Sequence, residues 1–227
     1  MKKAISGRHI LFVALSLIAV ALIGVGVNTG CCQTEGLAPA EVREYEGVDL
    51  SSINDFRENS IKGPQEIDIE SYSLSVTGLV TNSKNYTYDE VLNRHQNYKK
   101  VVTLDCVEGW SVTILWEGVL VRDLLAEAGP LANAEVVIFH AYDGYTTSLP
   151  IDYIIDNDIL LGCKMNDVVL PPERGFPFQL VAESKWGYKW IKWITEIEVS
   201  NDANYRGYWE SRGYSNNADL DKSFFGD

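Results

Sequence analysis

A mixed, strand-rich α+β domain is predicted for this chain on three observations. Short runs rich in β-branched and aromatic residues recur from Ser71 to Val199. Helical signatures between them are few and brief. Turn signals such as Asp143-Gly144, Asn166-Asp167 and Pro171-Pro172 punctuate the runs. With 227 residues and 46% hydrophobic content, there is enough apolar surface for one core behind an N-terminal segment.

The elements follow in order. Lys2, Lys3 and Arg8 precede an uncharged, mostly apolar run from Ile10 to Val27. This reads as a signal peptide or membrane anchor over residues 1–30, long enough to span a bilayer. The positive flank stays cytoplasmic, which places the rest outside the cytoplasm. Gly30-Cys31-Cys32 resembles a lipoprotein processing site, with Asn28 a poor fit, so cleaved, lipid-tethered and uncleaved forms all stay open. Residues 31–66 are polar and irregular, a tether leading into an arm that lies on the domain.

The domain proper is expected over residues 67–215, with a tail at 216–227. Ser71 to Val80 alternates as a strand. Thr87 and Glu90 form a capping-box pattern that opens a helix running to about Gln96. Val101–Leu104 and Ser111–Trp116 read as strands around a turn. Val121–Ala128 is a helix closed by Gly129-Pro130. Strands are expected at Glu135–Ala141, Thr146–Leu149, Phe178–Ala182 and Ile194–Val199, with a helical turn at Ile151–Ile155. Ile159–Met165 and Val168–Leu170 flank Asn166-Asp167 as a hairpin.

Charge excludes one class of partner. The formal net charge is −13, and residues 1–30 hold three cations and no acid, so the remainder is more acidic still. Such a surface repels phosphate backbones, and nucleic acid is not expected as a partner. Against that field stands a basic island: Arg174, Lys185, Lys189 and Lys192, interleaved with Trp186, Tyr188 and Trp190. It reads either as a site for an anionic ligand bearing a flat heterocycle or as a solvated basic loop over core aromatics.

Metal-ligand spacings are sparse. His9, His95 and His140 form no close pair, with His95 on an exposed helix, and there is no C-x-x-C or H-E-x-x-H. Cys106 is the candidate that remains, at the end of a strand with Gly109 just beyond it, placed to offer its sulfur into a cleft. A disulfide between Cys106 and Cys163 stays open, although Cys163 reads more simply as core.

The run Leu104-Asp105-Cys106-Val107-Glu108-Gly109-Trp110-Ser111 resembles the cysteine motif of the sulfite-oxidase-like molybdopterin oxidoreductases. That family includes sulfite oxidases, assimilatory nitrate reductases and the bacterial methionine-sulfoxide reductase catalytic subunit. Asp143 to Pro150, Met165 to Pro172 and Lys185 to Ile194 agree in the same order, and the resemblance covers roughly residues 50–215. It implies a sulfite-oxidase-type molybdopterin-binding fold and a molybdenum–molybdopterin (Mo-MPT) cofactor. Cys106 would be the protein thiolate on the metal and the catalytic residue. Cofactor contacts are implied at Asn59 and Lys62 from the arm, at Ala141, Arg174 and Gln179, and at Trp190, Ile191 and Lys192 around the phosphate. The sequence departs from the pattern at Gln179, where many relatives place arginine, and at Ala141, where Ser or Thr is common. The leader also has no Arg-Arg pair.

The expected function is oxygen-atom transfer on a small sulfoxide or oxyanion substrate. Electrons would pass through a separate transfer protein, a membrane haem protein being one candidate. The rival expectation is a non-catalytic extracytoplasmic binding domain that keeps the fold without the cofactor.

Overall fold

The computed structural model describes residues 40–226. The leader, Cys31, Cys32 and the first part of the tether lie outside the described residues. In chain order the elements are β1 (Glu44–Tyr45), β2 (Val48–Asp49), β3 (Leu74–Gly78), β4 (Lys84–Tyr86), α1 (Tyr88–Arg94), β5 (Asn97–Asp105), β6 (Ser111–Leu120), α2 (Val121–Ala128), β7 (Val136–Ala141), β8 (Thr146–Pro150), α3 (Ile151–Asp156), β9 (Leu160–Met165), β10 (Val168–Val169), β11 (Gln179–Val181) and β12 (Ile194–Ser200). Single 3-10 turns lie at Pro172–Arg174, Gly187–Lys189 and Glu210–Arg212.

Two five-stranded sheets carry the domain. One runs β10-β9-β6-β5 with β11 also on β9; the other runs β4-β3-β12-β7-β8. Every pairing is antiparallel except β3 with β12. The expected strand-rich α+β class is therefore what the chain forms. Leu104, Ile114, Trp116, Phe139, Phe178 and Trp190 belong to one contiguous buried cluster.

Local chemistry explains the elements. Thr87 Oγ1 accepts from the Glu90 N–H at 3.3 Å while Glu90 Oε2 accepts from the Thr87 N–H at 3.0 Å, so the capping box opens α1 as expected. In α2, Val121, Leu124, Leu125 and Ala128 are buried at helical spacing, and Gly129, with φ of 69°, closes it by donating to the Leu125 carbonyl. Asn166 and Asp167 both have positive φ, 48° and 63°, as a two-residue hairpin turn between β9 and β10 requires.

Several boundaries differ from the sequence reading. Helix α1 ends at Arg94, and β5 starts at Asn97 rather than Val101 because its whole length pairs with β6, Asn97 opposite Val119 through Asp105 opposite Ser111. Strand β6 continues through a bulge at Glu117/Gly118 onto β9. A methyl at Gly118 would lie 2.0 Å from the Leu161 carbonyl oxygen, so only glycine permits that approach. His95, expected on an exposed helix face, is 4% exposed in its side chain. Its Nδ1 meets the Val91 carbonyl, its Nε2 lies 3.1 Å from Glu127, and its ring packs edge-on to Tyr86.

The arm is stitched to the domain at the β9–β10 turn. The buried Asn166 side chain accepts from the Leu115 N–H at 3.0 Å and donates to Glu41 at 2.9 Å and to the Ser51 carbonyl at 2.8 Å. These bonds direct residues 50–61 along the mouth of the cavity described next.

Candidate functional site

Strand β5 ends at Asp105, and the next five residues reverse the chain into β6. The Cys106 N–H donates to the Trp110 carbonyl at 2.9 Å, and the Gly109 N–H donates to the Cys106 carbonyl at 2.9 Å. Gly109 has φ of 82°, a conformation that glycine adopts without steric cost. The closed loop presents Cys106, 9% exposed, to a cavity of about 250 Å³.

Six segments wall that cavity. Phe56, Arg57, Asn59, Ser60 and Ile61 come from the arm, and Cys106, Val107, Glu108 and Trp110 from the cysteine turn. Asp143 and Tyr145 come from the β7–β8 turn, Glu173 and Arg174 from the loop into β11, Gln179 from the first position of β11, and Trp190 to Trp193 from the segment before β12. Trp209 and Tyr214 close the rim. Aromatic surfaces with a few convergent polar groups are what a small-molecule or cofactor site needs.

The polar groups are specific. Asn59 Nδ2 points at the Cys106 sulfur from 3.9 Å. Burial pushes the Cys106 thiol above its ordinary range; the Glu108 backbone N–H, the Asn59 amide and the Arg57 charge oppose that without overcoming it. Gln179, 4% exposed, donates from Nε2 to the Trp190 carbonyl at 3.4 Å, while its Oε1 is buried with no partner among the described residues. Arg174 donates to the carbonyls of Ile53 and Phe56 and sits 4.9 Å from the Phe56 ring centroid. Lys192 Nζ donates to Glu58 Oε1 at 2.9 Å, and burial pulls this lysine below its ordinary range.

Of the residues singled out from sequence, Asn59, Cys106, Arg174, Gln179, Trp190, Ile191 and Lys192 line this one cavity. Lys62 and Ala141 do not. Lys62 is exposed, with its ammonium near Gly144. Ala141 is buried and braces the Asp143 turn, its N–H bonded to the Tyr145 carbonyl and its carbonyl to the Gly144 N–H. The backbone N–H groups of Trp190 and Ile191 are engaged inside their own turn, on the carbonyls of Gly187 and Lys189.

The basic island divides. Arg174 and Lys192 face the cavity, whereas Lys185 pairs with Asp219 and Lys189 with Glu210, both lysines being buried. The C-terminal segment supplies those two acids, which sequence adjacency could not reveal. Phe56 and Arg57 also line the cavity, and their nearness to Asn59 in the sequence is the one signal that points to them. Among the described residues Cys106 and Cys163 are both free thiols with no bridge between them, and Cys163, on β9, is pushed up to about 12 by burial. Among the described residues no group of three or more His, Cys, Asp or Glu is placed to hold a metal ion.

Residues 61–209, more than half the chain, match the family described as the oxidoreductase molybdopterin binding domain. The chain belongs to this family. Its relatives include the uncharacterized oxidoreductase YuiH of Bacillus subtilis, 34% identical over 66% of this chain and 76% of that protein. The protein-methionine-sulfoxide reductase catalytic subunit MsrP of Xanthomonas campestris pv. campestris is 28% identical over 66% of this chain and 53% of its own length. Among solved structures, the sulfane dehydrogenase SoxCD of Paracoccus pantotrophus shares the fold with a TM-score of 0.62 at 22% identity, over 70% of this chain and 44% of that one. The chain thus spans about three quarters of YuiH and about half of the other two.

Membership makes this an oxidoreductase domain whose cofactor is molybdenum–molybdopterin. The residues present fit such a group. One soft sulfur faces the cavity, the buried Gln179 oxygen has no partner among the described residues and would accept from a ring N–H, and three cations, Arg57, Arg174 and Lys192, stand in the wall.

Proposed function

We propose that this domain transfers an oxygen atom to or from a small sulfoxide or oxyanion, with Cys106 holding the molybdenum. The observation that carries the reading is a single thiol presented to an aromatic cavity whose wall also contains Gln179, Arg174 and Lys192. When bound, the cofactor supplies two-electron redox chemistry at its metal.

The chain supplies position and protection. The turn from Cys106 to Trp110 fixes the direction of the sulfur. Asn59 and the Glu108 N–H donate toward it and favour its thiolate form, which burial alone would disfavour. Lys192 and Arg174 offer positive charge to the phosphate and Gln179 an acceptor to the ring system. The arm and the rim aromatics Trp110, Trp209 and Tyr214 exclude bulk water from the space above.

Reducing a sulfoxide to a sulfide takes two electrons and two protons and releases water, so an electron donor is required. We assign that role to a separate protein, as the catalytic-subunit name of the Xanthomonas relative suggests. A membrane haem protein is one candidate. Residues 1–30 would place the domain outside the cytoplasm, anchored or lipid-tethered; among the described residues no helix is long and apolar enough to cross a membrane.

The test is production of the full chain in a cofactor-competent host, metal and pterin analysis, and turnover of sulfoxides, nitrate and sulfite with artificial electron donors and acceptors. Cys106→Ser should keep the circular dichroism spectrum and lose both turnover and bound molybdenum. Wild-type protein with neither molybdenum nor pterin ends the proposal.

A further inference from the structure

The arm over the cavity brings its own anion to one of the cavity's cations. Lys192 Nζ is held by Glu58 Oε1 at 2.9 Å and the Glu173 carbonyl at 3.2 Å, and it stands 4.3 Å from the Trp193 ring centroid. The Lys192 side chain is 14% exposed, so it has given up much of its water. An ammonium so placed needs a counter-charge. Arg174, the neighbouring cation, attracts the same carboxylate through space while its own N–H groups bind the Ile53 and Phe56 carbonyls. Gly175 lets this wall close tightly, since a methyl there would lie 3.0 Å from Lys192 Cβ and 3.2 Å from Gln179 Cβ. Glu58 is thus the carboxylate hydrogen-bonded to Lys192, with Asp143 a further negative charge acting on the same ammonium.

The Glu58 side chain is 32% exposed, so its carboxylate can turn into water at small cost. The arm has other fastenings that do not involve Glu58, Glu41 on Asn166 and Arg174 on Ile53 and Phe56.

We propose that Glu58 is an internal competitor for the anionic portion of the cofactor, neutralising Lys192 until a phosphate group displaces it. This rests on the reading that Lys192 faces that phosphate. Two anions on one ammonium repel each other, so binding exchanges one ion pair for another and the site's affinity is set below what its cations alone would give. Glu58 would thus reject weak anions while admitting a ligand that also makes the remaining contacts of the cavity.

The experiment uses the full chain made in a host that lacks the pterin pathway, titrated with pyrophosphate and followed by tryptophan fluorescence and amide hydrogen exchange. Glu58→Gln should bind pyrophosphate roughly threefold to tenfold more tightly than wild type. In wild type, exchange at residues 55–60 should rise on adding pyrophosphate, toward the level that Glu58→Gln shows without it. Equal or weaker binding by Glu58→Gln, with binding lost in Lys192→Ala, overturns the competitor role and leaves the phosphate reading standing. Binding by Lys192→Ala equal to wild type, or no saturable binding in wild type and Glu58→Gln alike, overturns the phosphate reading and the competitor role together.

Discussion

The Asn59 amide nitrogen stands 3.9 Å from the Cys106 sulfur, joining the arm to the cysteine turn across 47 residues of sequence. The contact makes the arm a partner of the thiol as well as a cover for the cavity. Replacing Asn59 by Leu removes the donor and keeps similar bulk at an exposed residue. The expected outcome is about a tenfold loss of molybdenum retained per protein after dialysis, with secondary structure unchanged.

Asn166 answers three groups at once from a buried hairpin tip. Asn166→Ala leaves the Leu115 N–H without its acceptor and puts an alanine at a φ of 48°. Urea denaturation should show a loss of about 2–3 kcal/mol. Tryptic cleavage after the exposed Arg43 should also speed up, because the Glu41 carboxylate loses its bond to the turn.

Lys189 and Glu210 form an ion pair with both side chains 0% exposed, and Thr147 also donates to the same carboxylate. Removing one charge strands the other in the interior, so Lys189→Met should cost about 3–5 kcal/mol in chemical denaturation. The double change Lys189→Met with Glu210→Leu should recover most of that loss. Equal stability of the single and double variants would contradict this account.

Asp219 ties the C-terminal segment to Lys185 and Lys222. Burial raises its pKa, but the two lysines outweigh burial and the net shift is downward. A carboxyl with a depressed folded pKa adds stability that is complete above the ordinary aspartate range and is lost as pH falls through the depressed value. Amide protection over residues 215–225, taken relative to the intrinsic exchange rate at each pH, should therefore hold at neutral pH and fall only below about pH 3.9. Asp219→Asn should show the reduced protection already at pH 7.

These pairings also mark what could be read from sequence. The capping box at Thr87, the Gly129 helix stop, the Asn166-Asp167 turn and the Cys106 loop all rest on residues within a few positions of one another. Chain chemistry determines such features before any tertiary contact forms. The meaning of Lys185 and Lys189 was hidden, because the acids that neutralise them lie 34 and 21 residues away. Sequence adjacency presented four cations as one patch, and the fold sends two inward to the C-terminal segment and two to the cavity. Glu58 was hidden for the same reason, being 134 residues from Lys192. Strand β4, three residues long, carries too little alternation to be distinguished from the turn before α1.

The walls of the cavity begin at Phe56 and finish at Tyr214. A nascent chain emerging from the ribosome owns no complete binding pocket until almost every wall residue has been synthesised. The prosthetic group must therefore be captured after synthesis has passed Tyr214, and fragments ending before Trp209 should fail to acquire it.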